Sequence, residues 1–286
     1  MDTKANGPHS SPELDRIDEA IIEVLRHQGR ITYEKLSSLV HLTPRPCLER
    51  VRKLERRGVI RGYGAIIDVQ MVSPGLSLLV LVVLLALLLT LRFVSPPTSA
   101  FMLQSPYPVS QTWVNIDTLP AHVALAMVAS EDQRFPEHFG IDFTAISDAL
   151  EQADDGDGLR GASTITQQTA KNLLLWSGRS LLRKGLEAGL AISLEAIWGK
   201  KRILEVYVNI AEFGKGIYGV EAASQHYFNK PASRLSQNEA ARLAVLLPSP
   251  RKRNPRDLTP YLQQRVVWVE RQMRQLGPDY LRPVLN

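Results

Sequence analysis

A polar stretch at residues 161–172 could bind an anion. Its polar side chains include Ser163, Thr164, Thr166, Gln167, Gln168, Lys171 and Asn172. The spacing of Thr164 and Gln167 matches a capping box, which predicts a helix that begins here. The free N–H groups of a first helical turn, aided by a lysine, favour phosphate above other anions. An ordinary polar cap on a surface helix is the alternative interpretation.

Glu131 is a candidate for proton transfer. Apolar residues recur at helical spacing after Leu119, and Glu131 extends their stripe by one turn. A carboxylate on the buried side of a helix, near its C-terminus, loses solvation and faces the negative end of the helix dipole. Both effects raise the pKa of the carboxylate, which suits a general base or acid. The alternative is a glutamate that is exposed because the helix has ended.

Charged residues form two further groups downstream. Arg183 and Glu187 stand at positions i and i+4 of a helical pattern, with Lys184 one turn from the glutamate. A surface ion pair is the usual explanation of such spacing. Another helical pattern carries Lys201, Glu205, Tyr207 and Asn209.

In this order the segments resemble the glycosyltransferase family 51 domain, which polymerises the glycan strands of peptidoglycan. The motifs that carry the resemblance are Glu131-Asp-Gln-Arg-Phe-Pro-Glu-His138, residues 161–172, Arg183-Lys-Gly-Leu-Glu187, residues 201–209 and residues 240–255. The resemblance covers about residues 115–275, and we predict a domain at 115–280. Residues 176–184 look like the corresponding segment of the monofunctional members of this family.

This resemblance implies a lysozyme-like, mainly helical fold and lipid II, a lipid-linked disaccharide-pentapeptide, as the substrate. It implies that Glu131 is the general base, which deprotonates the 4-hydroxyl of the acceptor sugar for inverting attack on the anomeric carbon of the growing chain. It also implies that Glu187, the second catalytic carboxylate, acts with Arg183 and Lys184 on the departing polyprenyl pyrophosphate. The implied substrate-binding residues are Asp132, Phe135, His138, Ser163, Thr164, Thr166, Gln167, Gln168, Lys171, Asn172, Arg183, Lys184, Lys201, Glu205, Tyr207 and Asn209.

The sequence predicts no cofactor, because no metal-ligand cluster is evident in it. A divalent cation such as Mg²⁺ is left open, since pyrophosphate chemistry often recruits one. The expected partners are lipid II, the growing glycan strand, membrane lipid and other cell-wall synthesis proteins, with DNA as a further candidate. A lysozyme-like hydrolase is the alternative enzyme, because it would share the fold and differ in its products.

Composition leaves several classes of protein open. The chain has 286 residues, a net charge of +5 and one cysteine, Cys47. This length allows one large domain or two smaller ones. The positive charge suits contact with phosphates or with an anionic membrane. A single cysteine excludes a disulfide within the chain.

An apolar segment follows the first seventy residues. No charged residue lies between Val69 and Leu91, and about 20 apolar residues suffice to cross a bilayer core of about 30 Å. The segment therefore predicts a transmembrane signal-anchor at 74–94, followed by a linker at 95–114. Lys and Arg residues precede the segment, whereas no Lys or Arg lies between Arg92 and Arg134. This asymmetry predicts a single-pass inner-membrane protein with a cytoplasmic N-terminus and a periplasmic catalytic domain.

The residues before that segment form a separate pattern. Residues 1–10 are predicted to be a disordered tail, and the next fifty carry three short helical patterns in a helix-turn-helix outline. The third pattern is basic, as in a recognition helix; the candidate DNA-binding residues are Arg45, Arg50, Arg52, Lys53 and Arg56. A weakly alternating stretch at 59–68 predicts a wing.

Residues 11–70 resemble the winged DNA-binding domain of leucine-responsive, AsnC-type regulators. The resemblance rests on Leu14-Asp-Arg-Ile-Asp18, residues 46–56 and Gly58-Val-Ile-Arg-Gly-Tyr63. It implies an alternative function, that of a membrane-tethered transcriptional regulator. The effector-binding domain of that family does not follow in this sequence, and DNA half-site recognition by such domains depends on dimers. A gene fusion or a mis-joined reading frame would give the same sequence.

Overall fold

The computed structural model describes residues 14–63, 74–154, 163–178 and 180–285. The predicted tail at 1–10 lies outside these ranges. The chain divides into two compact units, Met1–Leu79 and Val80–Asn286.

The first unit has the predicted helix-turn-helix outline. Its helices are α1 (Arg16–His27), α2 (Tyr33–Leu39) and α3 (Pro44–Arg56). Asp15 begins α1, because its side chain accepts hydrogen bonds from the first backbone N–H groups. The buried core consists of Ile21, Leu36, Val40, Cys47, Val51 and Leu54. Residues 59–63 form no strand, and the remainder of the predicted wing lies outside the described residues.

Arg50 joins α3 to the start of α1. Its Nη1 donates to Oδ2 of Asp15 at 2.5 Å and to Oδ1 of the buried Asp18 at 2.7 Å. This guanidinium lowers the pKa of Asp15. The other predicted DNA-binding side chains are exposed on α3: Arg45, Arg52, Lys53 and Arg56. Arg50 thus serves the packing of the unit, whereas the others carry their charge at the surface, Arg45 with its Nε 3.9 Å from Oε1 of Glu49.

The second unit is mainly helical, as predicted. Its helices are α4 (Pro74–Phe93, which includes the boundary between the units), α5 (Ala100–Leu103), α6 (Ala121–Glu131), α7 (Phe143–Asp154), α8 (Ile165–Leu174), α9 (Leu181–Trp198), α10 (Lys200–Ile210), α11 (Val220–Phe228), α12 (Gln237–Ala244), α13 (Pro260–Leu276) and α14 (Arg282–Leu285). Short 3₁₀ helices lie at Ile116–Thr118 and Ala232–Arg234.

A small sheet accompanies the helices. Its strands are β1 (Ser110–Gln111), β2 (Glu212–Gly214) and β3 (Ile217–Tyr218), in the spatial order β1-β3-β2. Strand β3 pairs in parallel with β1, with Ser110 opposite Ile217, and antiparallel with β2.

Helix α6 is the centre of the core of the second unit. Every residue from Val123 to Ala129 is buried, as expected of a helix that is apolar on all sides. Helix α6 packs against α12 and α13, and α8 packs against α9 and α10. Because α6 ends at Glu131, its last residue stands where the buried core meets the surface.

The segment predicted as a linker, 95–114, contains α5 and β1. The hydroxyl of Tyr218 donates to the carbonyl of Phe101 at 3.2 Å, and Met102 is buried. These contacts incorporate α5 into the second unit.

The end of α4 packs on α9 and α10. Nη2 of Arg202 donates to the carbonyls of Leu91, at 3.0 Å, and Val94, at 2.8 Å. Nε1 of Trp198 donates to the carbonyl of Leu88 at 2.7 Å. These bonds attach the C-terminal part of α4 to α9 and α10, and Arg202 satisfies the Leu91 carbonyl, one of the four that a helix C-terminus leaves free.

The side chains of α4 are described from residue 78 onward. Among the described residues, no helix is both long and apolar enough to cross a membrane. The structure therefore does not confirm the membrane span predicted at 74–94.

Gly140 brings the backbone after α6 against α9. Its φ is +79°, and a Cβ at this position would lie 3.0 Å from the carbonyl carbon and oxygen of Ala191. The Gly140 carbonyl accepts a hydrogen bond from Oγ1 of Thr164 at 2.6 Å. The close approach therefore also supports the start of α8.

Substitution of Gly140 by alanine should reduce the free energy of unfolding by about 1–3 kcal/mol. The cause is a left-handed φ combined with a contact against backbone that cannot move away. Thermal unfolding of Gly140→Ala measures this loss. The matched control is Gly189→Ala inside α9, where the added Cβ meets nothing and alanine should stabilise the helix by about 0.5–1 kcal/mol. Equal midpoints for the two variants would contradict the expectation.

Candidate active site

Glu131 ends helix α6 in a desolvated position. Its Oε2 accepts a hydrogen bond from Nε2 of Gln168 on α8 at 2.9 Å. Burial raises the pKa of Glu131, and the Gln168 N–H and nearby basic charges only partly oppose this, so the net shift is upward. A carboxylate with a raised pKa accepts a proton more readily than an ordinary glutamate.

Basic side chains from three parts of the unit face Glu131. Arg265 on α13, Lys171 on α8 and Arg253 after α12 each lower its pKa through their charge. The Arg265 guanidinium is held over the ring of Trp268, 4.2 Å from the ring centroid. The charges of these three side chains favour the approach of an anionic ligand to this part of the unit.

A second carboxylate, Glu187, is paired with two cations. Its Oε2 accepts a hydrogen bond from Nη1 of Arg183 at 2.7 Å, and its Oε1 accepts one from Nζ of Lys184 at 2.6 Å. Nζ of Lys184 also donates to Oγ of Ser163 at 3.0 Å. Nε of Arg183 is buried and has no hydrogen-bond partner within the described ranges. The cluster fixes two positive charges at one position.

Lys171 connects the two carboxylates electrostatically. Burial lowers the pKa of its ammonium group, while the charges of Glu187 and Glu131 raise it. Its Nζ lies 5.7 Å from the ring centroid of Phe101 on α5. Ser163 lines the same cleft as Glu131 and binds Lys184, so Glu131 and the Glu187 cluster belong to one site.

A cleft opens beside Glu131. Its volume is about 280 Å³, and its lining residues are Ser130, Glu131, Asp132, Gln133, Arg134, Asp142, Ala145, Ser163 and Thr164. Within the described part of the chain, no group of three or more His, Cys, Asp and Glu side chains is arranged to hold a metal ion.

Asp132 occupies the N-terminus of α8. Its Oδ2 accepts a hydrogen bond from the N–H of Ile165 at 2.8 Å, and both of its oxygens lie 3.0 Å from Nε2 of His138. Asp132 and the Thr164 hydroxyl thus occupy two of the first-turn N–H groups of α8, those of Ile165 and Gln167, and phosphate binding at this turn stays a prediction. A protein carboxylate already uses the positive end of this helix, so Asp132 and His138 support α8 from the core.

The remaining residues at the start of α8 form its buried scaffold. Thr164 and Gln167 make the predicted capping box, in which each side chain binds the backbone N–H of the other residue. The hydroxyl of Thr166 donates to Oε1 of Glu195 at 2.7 Å. Phe135 is fully buried under Nζ of Lys200, which lies 4.4 Å from the ring centroid. Asn172 is half-buried on the same helix as Lys171.

Two predicted substrate-binding residues, Lys201 and Glu205, lie on α10 and line a cavity with Arg92 and Phe93 at the end of α4. Nζ of Lys201 pairs with Asp117 at 2.8 Å. Glu205 pairs with Nη1 of Arg202 at 2.6 Å, and Arg202 binds the last carbonyls of α4. The structure therefore groups Lys201 and Glu205 with α4, not with Glu131.

Asn209 is a buried side chain that hydrogen-bonds to the backbone. Its Nδ2 donates to the carbonyl of Val114 at 2.8 Å, and its Oδ1 accepts from the N–H of Val114 at 2.8 Å. Nδ2 also donates to the carbonyl of Glu205 at 2.8 Å. Asn209 is fully buried. In place of the predicted contact with substrate, its side chain connects α10 to the segment before α6.

Sequence reasoning did not identify Arg253 and Arg265 as site residues. Arg253 lies in an irregular segment after α12, and Arg265 lies on a helix whose apolar pattern only predicts packing. The run of basic residues at 251–253 was the available signal. Helical periodicity cannot connect this run with Glu131, because the two lie far apart in the sequence.

Replacement of Asn209 by leucine should reduce the free energy of unfolding by at least about 2 kcal/mol. The reason is that both backbone groups of Val114 would lose their partner in a buried place. Chemical denaturation of Asn209→Leu measures this loss. The control is Asn238→Ala, which removes an exposed bond to Glu270 and should change stability by less than about 0.5 kcal/mol. If Asn209 served substrate alone, the two variants would be equally stable.

Two family profiles match the chain. The Transglycosylase profile matches residues 99–274, which include Glu131, Lys171 and Glu187. The profile of the AsnC-type helix-turn-helix domain matches residues 14–55.

Proteins named biosynthetic peptidoglycan transglycosylase are similar to this chain. The one from Marinomonas sp. (strain MWYL1) is 74% identical over 206 residues, which cover 72% of this chain and 92% of that protein. The one from Shewanella frigidimarina (strain NCIMB 400) is 77% identical over 195 residues, with coverages of 68% and 86%. The one from Citrobacter koseri is 56% identical over 174 residues, with coverages of 60% and 72%.

Proposed function

The chain belongs to the transglycosylase family, and on that premise we propose that it lengthens peptidoglycan glycan strands from lipid II with Glu131 as the general base. The observation that carries the proposal is the position of the Glu131 carboxylate, which ends the buried helix α6 and lines a cleft together with Ser163, whose hydroxyl binds Lys184 of the Glu187 cluster. The premise follows from a family match over more than half of the chain.

The proposed step transfers a sugar with inversion. Glu131 accepts the proton of the 4-hydroxyl of the acceptor sugar, and that oxygen forms a bond to the anomeric carbon of the growing chain. The bond from this carbon to the pyrophosphate breaks, and polyprenyl pyrophosphate leaves from the opposite face. Lys171, Arg183 and Lys184 stabilise the negative charge that develops on the leaving group.

Pre-formed charge supports this assignment of roles. Glu187 holds the cations of Arg183 and Lys184 in place before any ligand arrives. Cations that need no reorganisation stabilise a developing charge more effectively than mobile ones. The buried, unpartnered Nε of Arg183 adds a donor on this side of the site.

We also propose a membrane-associated location, with the catalytic unit on the periplasmic side of an inner membrane. The support is the uncharged segment from Val69 to Leu91 and the basic residues that precede it. A donor carried on a polyprenyl lipid stays in the bilayer, so its polymerase must work at the bilayer surface. The signal-anchor itself remains a prediction.

The Glu131→Gln variant should lose about 10²–10⁴-fold of its polymerisation rate and keep its fold. Glutamine keeps the size of the side chain but cannot accept the proton. The measurement is incorporation of lipid II into glycan strands, with circular dichroism as the folding check. The matched control is Glu137→Gln, an exposed glutamate paired with Arg134, which should remain active. Full activity of Glu131→Gln would falsify the proposed role.

The pH dependence and the products test the same proposal. Because the pKa of Glu131 is raised, the polymerisation rate should fall with decreasing pH around a value above the ordinary glutamate pKa of about 4.3, as Glu131 becomes protonated.

A polymerase makes longer strands and releases polyprenyl pyrophosphate. A hydrolase of the same fold would instead release fragments from pre-made cell wall, and that outcome would select the alternative enzyme.

DNA binding by the first unit is a second candidate function. The exposed basic side chains of α3 favour it, as does the match to an AsnC-type helix-turn-helix domain. Arg50 is outside this candidate surface, because Asp15 and Asp18 neutralise it.

Charge reversal on α3 should weaken DNA binding without changing polymerisation. The double variant Arg52→Glu with Lys53→Glu should bind DNA at least about tenfold more weakly and should show a shallower dependence on salt. Fluorescence anisotropy of the full chain in detergent over a salt series measures both effects. Arg26→Glu, at an exposed position of α1, is the control. DNA binding that is equal for all three proteins, with no preference over random DNA, would exclude the candidate function.

A further inference from the structure

Three side chains from three helices form one hydrogen-bonded chain that ends at Glu131. The hydroxyl of Tyr207 on α10 donates to Oε1 of Gln168 on α8 at 3.3 Å. Nε2 of the same amide donates to Oε2 of Glu131 on α6 at 2.9 Å. Tyr207 is fully buried, so the chain runs from the core outward to the carboxylate.

The orientation of the Gln168 amide decides which protonation state of Glu131 is stabilised. An amide presents two N–H donors at one end and a carbonyl acceptor at the other. With the nitrogen toward Glu131, the amide stabilises an ionised carboxylate. With the oxygen toward Glu131, lone pairs would face lone pairs unless the carboxylate were protonated.

Tyr207 selects between these two orientations. Burial raises the pKa of its phenol well above the ordinary value, so the hydroxyl keeps its proton and remains a donor. Its acceptor in the described structure is Oε1 of Gln168. If the amide turned over, this buried hydroxyl would lose its acceptor, and an unsatisfied buried donor is costly.

We propose that Tyr207 is a positioning residue whose hydroxyl holds the Gln168 amide with its NH₂ end toward the Glu131 carboxylate. The proposal rests on the proposed function, since it assumes that Glu131 must be ionised to act as the base. Tyr207 then acts on Glu131 through Gln168, in place of the substrate contact expected from the sequence.

The other charges that face Glu131 do not depend on the tyrosine. They are Lys171 on α8, Arg253 after α12 and Arg265 on α13. The neighbouring carboxylate of Asp132 is turned toward His138 and the N–H of Ile165. Removal of the Tyr207 hydroxyl should therefore act on Glu131 through Gln168 alone.

The test is the pH profile of kcat/KM for polymerisation of lipid II by the full chain carrying Tyr207→Phe. The acid limb should move to higher pH by roughly half to one unit, because loss of one oriented hydrogen bond favours protonated Glu131. On the acid limb, kcat at a given pH should fall about 3- to 10-fold, the factor that a shift of half to one unit produces, with KM changed less than about twofold. The matched control is Tyr218→Phe, which removes a hydroxyl bound to the Phe101 carbonyl and should keep the wild-type profile.

A second variant tests the route through the amide. Gln168→Met should move the acid limb at least as far as Tyr207→Phe does, and combining the two should add nothing further. A wild-type pH profile in Tyr207→Phe or in Gln168→Met overturns the proposal, as does a full additive effect in the double variant. The Gln168 variant also supplies the readout if loss of the phenol impairs folding.

The proposed function and this inference can fail separately. If Glu131→Gln polymerises lipid II normally, the role of the base is wrong and the inference falls with it. If Glu131→Gln is inactive while Tyr207→Phe and Gln168→Met keep the wild-type pH profile, only the positioning role is wrong.

Discussion

The site depends on two adjacent carboxylates that experience different surroundings. Helix α6 is buried from Val123 to Ala129. The two carboxylates therefore stand at the C-terminal end of the helix, where the chain leaves the core. Asp132 is satisfied by His138 and by the N–H of Ile165, whereas Glu131 receives one amide donor and is otherwise desolvated. Because Asp132 fixes the start of α8, Gln168 on that helix is held within reach of Glu131.

The cationic side of the site is organised before a ligand binds. Glu187 is a partner for both Arg183 and Lys184, so their charges are fixed at the cost of partial neutralisation. Lys171 stands between this cluster and Glu131 in the electrostatic pattern, and its pKa is lowered by burial. An anionic leaving group would meet donors that are already oriented. Its binding would also give the buried Nε of Arg183 a hydrogen-bond acceptor.

The two units follow different design constraints. The first is a small helical unit whose core includes Cys47, and the ion pairs of Arg50 with Asp15 and Asp18 connect its first and third helices. The second also incorporates the segment after α4, since Asn209 and Tyr218 bind the backbone there. Apolar periodicity did not reveal this incorporation, because residues 95–114 carry no long helical pattern.

The sequence alone determined the helices and the charges that they carry. The capping box at Thr164, the apolar stripe that leads to Glu131 and the i, i+4 spacing of Arg183 and Glu187 are local features, and local features survive folding. The tertiary structure decided how the charges are used. It placed Asp132 against α8, connected Tyr207 through Gln168 to Glu131, and brought Arg253 and Arg265 to the same carboxylate. These contacts join residues far apart in the chain, and packing of the helices, which no local spacing encodes, brings them together.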